Sequence, residues 1–169
     1  GVGIASRLGL TDIEQGFAGM PGFAKDSSAE QAPEARAISA TVDGIRVCSV
    51  YVPNGRGIDD PHMAYKIDWL ERLGSAFGDY SRHADAYPFV VGGDFNVAPL
   101  DSDAGDPLFL LPGSTHTSDK ERSALEEFHA RAGVSDVVRP LIPEGYTFWD
   151  YKQGKFAKDH GLRINFLYG

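Results

Sequence analysis

The stretch Gly92-Gly93-Asp94-Phe95-Asn96 holds the residue types best suited to chemistry. It follows a short apolar run, Phe89 to Val91, that reads as a buried strand. Two glycines let a backbone turn sharply and let a ligand come close. A carboxylate and a carboxamide follow. If the strand direction persists, Asp94 and Asn96 project from one side and Phe95 from the other. That pair suits a hard cation and a phosphate. The carboxylate can hold Mg²⁺ or orient a water, and the amide can donate to a phosphate oxygen. The same residues equally fit a glycine turn with a polar cap.

Other polar and aromatic residues read less sharply. Tyr51 ends an apolar run. It can cover a sheet edge or place its hydroxyl on a phosphate oxygen. Arg56 and Lys66 read as solvated surface charges. Phe148 and Trp149 are adjacent, so in a regular strand one of them faces away from the core. His116 and His160 read as incidental loop histidines, and no His or Cys pair has zinc spacing. Asp101, Asp103 and Asp106 read as solvated loop acids. The single cysteine, Cys48, excludes an internal disulfide and reads as a buried inert thiol, which fits a reducing cytoplasm. A formal net charge of -8 argues against a general nucleic-acid coat, while leaving room for a local basic patch or a metal that offsets acidic ligands. No apolar run comes near 18 residues, so neither a signal peptide nor a membrane segment is expected.

The elements that must position these residues are readable in order. Residues 2 to 6 read as a buried strand, and residues 8 to 34, with glycines, prolines and the polar run Asp26-Ser27-Ser28, as a long loop with room for short extended pieces. Arg36 to Val42, the turn Asp43-Gly44, and Ile45 to Val52 form a β-hairpin. Asp60-Pro61 starts a helix whose Met63, Ile67, Leu70, Leu73 and Phe77 recur at helical spacing. The strand into Asp94 is followed by an acidic loop to about Thr117. Ser118 and Glu121 make a capping box for a helix that ends at Gly133, with Leu125, Phe128 and Ala132 on its apolar stripe. Tyr146 to Tyr151 and Leu162 to Tyr168 read as two more strands. The class is α/β with a largely antiparallel sheet. The chain begins and stops inside apparent strands, so an internal piece of a longer protein is expected.

Four segments now stand in order: Tyr51-Val52-Pro53-Asn54-Gly55-Arg56, Gly93-Asp94-Phe95-Asn96-Val97-Ala98-Pro99, Tyr146-Thr147-Phe148-Trp149-Asp150-Tyr151 and Gly161-Leu162-Arg163-Ile164-Asn165. On these motifs the chain resembles the exodeoxyribonuclease III family of abasic-site endonucleases, within the endonuclease/exonuclease/phosphatase superfamily, over nearly all 169 residues. The resemblance implies a four-layer sandwich, two mainly antiparallel sheets face to face with helices outside, of which residues 1 to 169 are the central part. It implies a monomeric nuclease acting on double-stranded DNA at abasic sites and 3′ ends with Mg²⁺ or Mn²⁺. By position, Asp94 matches the catalytic aspartate, Asn96 a phosphate-contacting and metal-linked asparagine, and Tyr51 the active-site tyrosine. Asn54 matches a residue of the phosphate region and Arg56 a DNA-contacting arginine. Phe148 and Leu162 match the walls of the abasic-sugar pocket, with Trp149 beside them. Asp103 lies where related enzymes also carry an acid.

The chemistry of the residues agrees. Phosphodiester cleavage needs a water held in line, charge neutralised at the phosphate, and help for the leaving oxygen. Two departures stand out. A first-strand glutamate and a terminal histidine of the family pattern are not in these residues, and the fourth motif ends in Asn165 instead of aspartate. An amide cannot hold a histidine charged as a carboxylate does. Two other readings stay open: a phosphatase of the same fold acting on inositol, lipid or nucleotide phosphates, and a catalytically weakened DNA-binding module.

Overall fold

Alternation and a two-residue turn build the first piece of the fold. Ala37–Val42 and Ile45–Tyr51 pair antiparallel, and Asp43 and Gly44 both take positive φ, 48° and 79°. That turn geometry matches the twist of the flanking strands. The computed structural model describes residues 1–25, 28, 30–83 and 88–169, so most of the polar run Asp26-Ser27-Ser28 lies outside the described residues. Five strands form one sheet: β1 (Thr11–Gln15), β2 (Ala37–Val42), β3 (Ile45–Tyr51), β4 (Phe89–Asp94) and β5 (Asn165–Tyr168), side by side in chain order. β3 and β4 run parallel and the other pairs antiparallel.

A parallel pair needs a crossover, and α1 (Pro61–Ser81) supplies it. The Asp60 side chain accepts from His62 N at 2.8 Å, and Pro61 occupies the first turn. The second helix, α2 (Asp119–Ala132), starts at the Ser118/Glu121 capping box and stops at left-handed Gly133. Both helices pack on one face of the sheet. Trp69, Leu70, Leu73, Leu125 and Phe128 meet Cys48, Val50, Val91, Phe166 and Tyr168 in one core. The helices approach closely at Gly74 and Gly78, where a Cβ would stand 3.2 Å from Phe128 Cα and 2.4 Å from the Arg131 carbonyl oxygen. Burial pushes the Cys48 thiol up to about 12, as an inert core thiol requires. Among the described residues no helix is long and apolar enough to cross a membrane.

The opposite face is only partly covered. Val47, Ser49, Val90 and Gly92 are half-buried there and Leu167 is exposed. The described residues thus form one mixed sheet with helices on one side.

Several expectations change. Residues 2 to 6 are not a strand: Val2 and Ile4 are half-buried, but no ladder partner pairs with them among the described residues. β1 is a short extended piece inside the long 8–34 loop, and it joins the sheet. Its residues are all exposed, so no apolar pattern marks it. Ladder bonds to β2 hold it, together with Arg46, which pairs with Glu14 at 2.6 Å and donates to the Asp12 carbonyl at 2.5 Å. Residues 146–151 are not a strand either. Phe148 and Leu162 make a single bridge, and the Thr147 hydroxyl takes the Ile164 and Asn165 N–H groups at 3.0 and 2.9 Å, where a ladder would have continued. The final strand therefore starts only at Asn165.

The acidic loop is also misread as solvated. Asp103 and Asp106 are buried. Arg139 grips Asp103 with two bonds, at 3.0 and 2.8 Å. Asp106 caps Leu108 N and pairs with Lys155 and, at 3.3 Å, with His160. Buried carboxylates need such partners, and these pin the 97–118 segment against the 139–160 segment.

Candidate active site

β4 does not turn at its glycines. It runs on through Gly92 and Gly93 to Asp94, and Gly93 has φ +144°. The close neighbour is backbone: a Cβ on Gly93 would lie 1.9 Å from the Val50 carbonyl oxygen of β3. This position therefore admits only glycine, for packing of the central strands. The chain turns two residues later, at Asn96, which has φ +54°. Asparagine tolerates this left-handed conformation better than most residues.

Register then assembles the site. Tyr51 pairs with Asp94 across β3 and β4, and Asp94 pairs with Asn165 across β4 and β5. Paired residues of neighbouring strands point to one face, so the three form a lateral row. It lies on the face away from the helices. Tyr51 and Asn165 are exposed and Asp94 is half-buried. Asp94 Oδ1 accepts from Asn96 N at 2.8 Å. Burial raises the Asp94 carboxyl above its ordinary value, opposed by that N–H and by the nearby Lys66 charge.

Asn96 does not project beside Asp94. Its side chain is buried, with Nδ2 donating to the Val52 carbonyl at 2.8 Å and Oδ1 accepting from Asn54 at 3.4 Å. The left-handed turn is the reason, because it breaks the two-residue alternation. Asn54 Oδ1 in turn accepts from Arg56 N at 2.8 Å, and buried His62 has its Nδ1 2.6 Å from the Asn54 carbonyl. Arg56 itself is exposed at the rim.

The third and fourth motifs flank the row. Thr147 Oγ1 holds Asn165 N, and a cleft of about 450 Å³ runs beside Asn165, lined by Tyr146, Thr147, Arg163 and Phe166 among others. Phe148 is exposed and Trp149 half-buried; both line a second cleft of about 420 Å³ with Tyr151 and Phe156. Leu162 is 1% exposed and packs with Ala98 and Ile164 in a small second core. It meets Phe148 through backbone bonds, so its side chain presents no wall to solvent.

Four groups near the row were not legible as parts of it. Arg36 sits with Cζ 4.9 Å from the Tyr51 ring centroid and is paired to Glu34 at 2.6 Å. Lys66, read as a surface charge, is fully buried and paired with fully buried Glu121. His116, read as incidental, has Nδ1 2.7 Å from the Asn96 carbonyl. Burial and the Lys66 charge hold its imidazole below the ordinary value, so it is neutral, with Nδ1 as the donor. One signal for Lys66 was available: it falls on the same helical stripe as Met63, Leu70 and Leu73.

Asp94 offers one carboxylate, and among the described residues no group of three or more His, Cys, Asp or Glu could hold an ion alone. A lone carboxylate suits only a divalent ion that completes its shell with water and substrate phosphate.

No family model matches the chain. The chain is 28% identical over 168 residues to an exodeoxyribonuclease of Bacillus subtilis, covering 92% of the chain and 64% of that protein. It is 30% identical over 143 residues to the zebrafish (Danio rerio) DNA repair nuclease APEX1, covering 82% and 44%. Its fold is similar to that of the 3′ phosphatase NExo from Neisseria bound to product DNA hairpin, with TM-score 0.81 and 33% identity over 96% of this chain and 59% of that one. The chain thus spans less than two thirds of each of these relatives.

Proposed function

We propose, from the premise that this chain belongs to the exodeoxyribonuclease III family, that it is the central part of a DNA-repair nuclease. Its substrate is double-stranded DNA, hydrolysed at abasic sites and 3′ ends with Mg²⁺ or Mn²⁺. The observation that carries this reading is the lateral row Tyr51–Asp94–Asn165, which lines up a phenol, a carboxylate and an amide on one open face. In the whole domain a second sheet covers the half-exposed apolar part of that face and completes a four-layer sandwich. The buried single cysteine fits a reducing compartment such as the cytoplasm, and the nuclease acts as a monomer.

The residues divide the work as follows. Asp94 accepts a hydrogen bond from the attacking water and holds it in line with the phosphorus. The Tyr51 hydroxyl donates to a non-bridging phosphate oxygen, where negative charge grows in the transition state. Arg36, over the Tyr51 ring, favours that electron-rich ring and fixes its plane. Asn54 and Arg56 form the rim that meets the DNA backbone. Phe148 and Trp149 offer apolar surface to an exposed sugar or base. A bound divalent ion, held at Asp94, would neutralise the phosphate and polarise it.

Asn165 is the informative departure. A carboxylate there would orient and charge a facing histidine, and an amide does so more weakly. The test is steady-state incision of an abasic-site duplex by the full-length protein and its Asn165→Asp form, with and without EDTA. Metal-dependent incision is expected from both. The aspartate form should turn over about tenfold faster, with the gain in kcat, because the change alters charge near the reacting phosphate and not the DNA-binding rim. A full-length protein that binds but never cuts, in either form, would establish the silent-module reading instead.

Arg56→Ala should weaken duplex binding about three- to tenfold and lower the salt slope by about one ion. It keeps a non-glycine residue at φ +59°, so backbone strain is unchanged. Titrating binding between low and high salt checks this; an unchanged slope would remove Arg56 from the backbone contacts.

A further inference from the structure

Lys66 and Glu121 sit directly beneath the Asp94–Asn96 turn. Both side chains are 0% exposed and bonded to each other. Lys66 reaches the turn itself, and Glu121 holds the 116–118 segment that packs against it. Lys66 Nζ donates to the Asn96 carbonyl at 2.6 Å. His116 Nδ1 donates to the same carbonyl. Glu121 Oε1 accepts from His116 N at 3.0 Å, and Oε2 accepts from Ser118 N and Oγ at 3.2 and 2.6 Å. Ala98 N donates to the His116 carbonyl at 2.7 Å, closing the loop back on itself. Two donors thus converge on one carbonyl, that of the residue in left-handed conformation.

We infer that Lys66, with Glu121 and His116 as its supports, is a positioning residue for the phosphodiester chemistry. It holds the Asn96 carbonyl turned inward, which fixes the left-handed turn. The turn in turn keeps Asn96 N on Asp94 Oδ1 and so aims the Asp94 carboxylate along the row. This rests on the nuclease reading of the site. Glu121 serves the α2 cap, but stability alone gives a buried lysine beside it little reason to exist. Two charges taken out of water recover their desolvation only in part, and an apolar pair of similar volume holds a core equally well or better. What an apolar pair cannot provide is an N–H donor to the Asn96 carbonyl. A lysine at this position therefore belongs with the turn.

The test uses the full-length protein and separates folding from positioning. In Lys66→Met alone, Glu121 is buried unpaired and the melting temperature should fall sharply. Lys66→Met/Glu121→Gln removes the unpaired charge and keeps an amide oxygen for the Ser118 cap, so it should recover most of that loss. If Lys66 positions the turn, kcat of the double variant on an abasic duplex stays down about 10- to 100-fold, with duplex binding in EDTA within about twofold of wild type, as a small misplacement of a reacting group demands. His116→Leu keeps the ion pair and removes one of the two donors. It should fold normally and lose about three- to tenfold in kcat, which keeps the inference open to refutation if the double variant does not fold. Wild-type kcat in a folded double variant, or in His116→Leu, would make the cluster a core feature only. Asp94→Asn, run alongside, tells the failures apart: full activity in that variant would overturn the nuclease reading of the site itself.

Discussion

Alanine at position 93 is expected to unfold the protein or to slip the central strands. Gly93 lies in the parallel β3–β4 pair, at the middle of the sheet, with φ +144°. A methyl there would meet the Val50 carbonyl oxygen at 1.9 Å and the Val50 carbonyl carbon at 2.9 Å. Both are backbone atoms of a strand locked on its other side to β2, so neither has a soft direction in which to move. The strained backbone adds to the clash, because a side chain rarely adopts this φ. A cost of about 4 kcal/mol or more follows, a large part of the stability of an ordinary domain. Denaturant unfolding of the purified full-length variant, or its recovery only as insoluble material, checks this. A loss under about 1 kcal/mol would mean that the central strands hold a different register, and the Tyr51–Asp94 alignment would fall with it.

Asp94→Asn should have the opposite profile. The amide keeps an oxygen for Asn96 N, so the turn survives. It removes the charge that the proposed mechanism gives to metal and water, and turnover should drop about 10³-fold or more, equivalent to about 4 kcal/mol of transition-state stabilisation. Stability should not fall. Burial raises the folded-state pKa of this carboxyl above the ordinary 3.8, so the folded state binds more protons than the unfolded state as pH rises through that window. Stability of the metal-free wild type is therefore lost between pH 3.8 and the raised value, and the loss persists at neutral pH. The amide has no such loss. In EDTA the variant should melt at or above the wild type at pH 7, and that advantage should vanish at low pH. A variant that melts lower at pH 7 and still cleaves would contradict both parts.

The residues legible in the sequence are those whose local signals and tertiary roles agree. The Asp43-Gly44 hairpin, the Asp60-Pro61 start of α1 and the Ser118/Glu121 box each carry a cap or turn that works within a few residues. Asp94 was legible because glycines and a polar pair break an apolar run. β1 was legible only as an extended piece of a loop with no bounds, because an exposed edge strand buries nothing and has no periodic pattern to read. Residues 146–151 have strand-like aromatics, but the Thr147 hydroxyl captures the N–H groups a ladder would need. The inward turn of Asn96 depends on donors from α1 and from the 114–118 segment, and no window of sequence contains them together. The burial of Lys66, Asp103 and Asp106 is not legible for one reason. A charge is expected at the surface unless its partner is known, and each partner lies on a distant segment.

The sheet grows in the order in which its strands are synthesised, β1 through β5. During translation each strand after the first therefore finds its docking edge already made, and no strand must insert between two that have paired. Local growth of this kind keeps loop-closure costs low and limits the time for which an edge stands open. The exception is the wait between β4 and β5, in which the intervening residues must emerge before Asn165 can reach Asp94. Tyr51 and Asp94 are aligned early, and the third member of their row arrives with the last strand. The row is complete only once β5 has docked on β4, with the same strand that brings Phe166 and Tyr168 to the core.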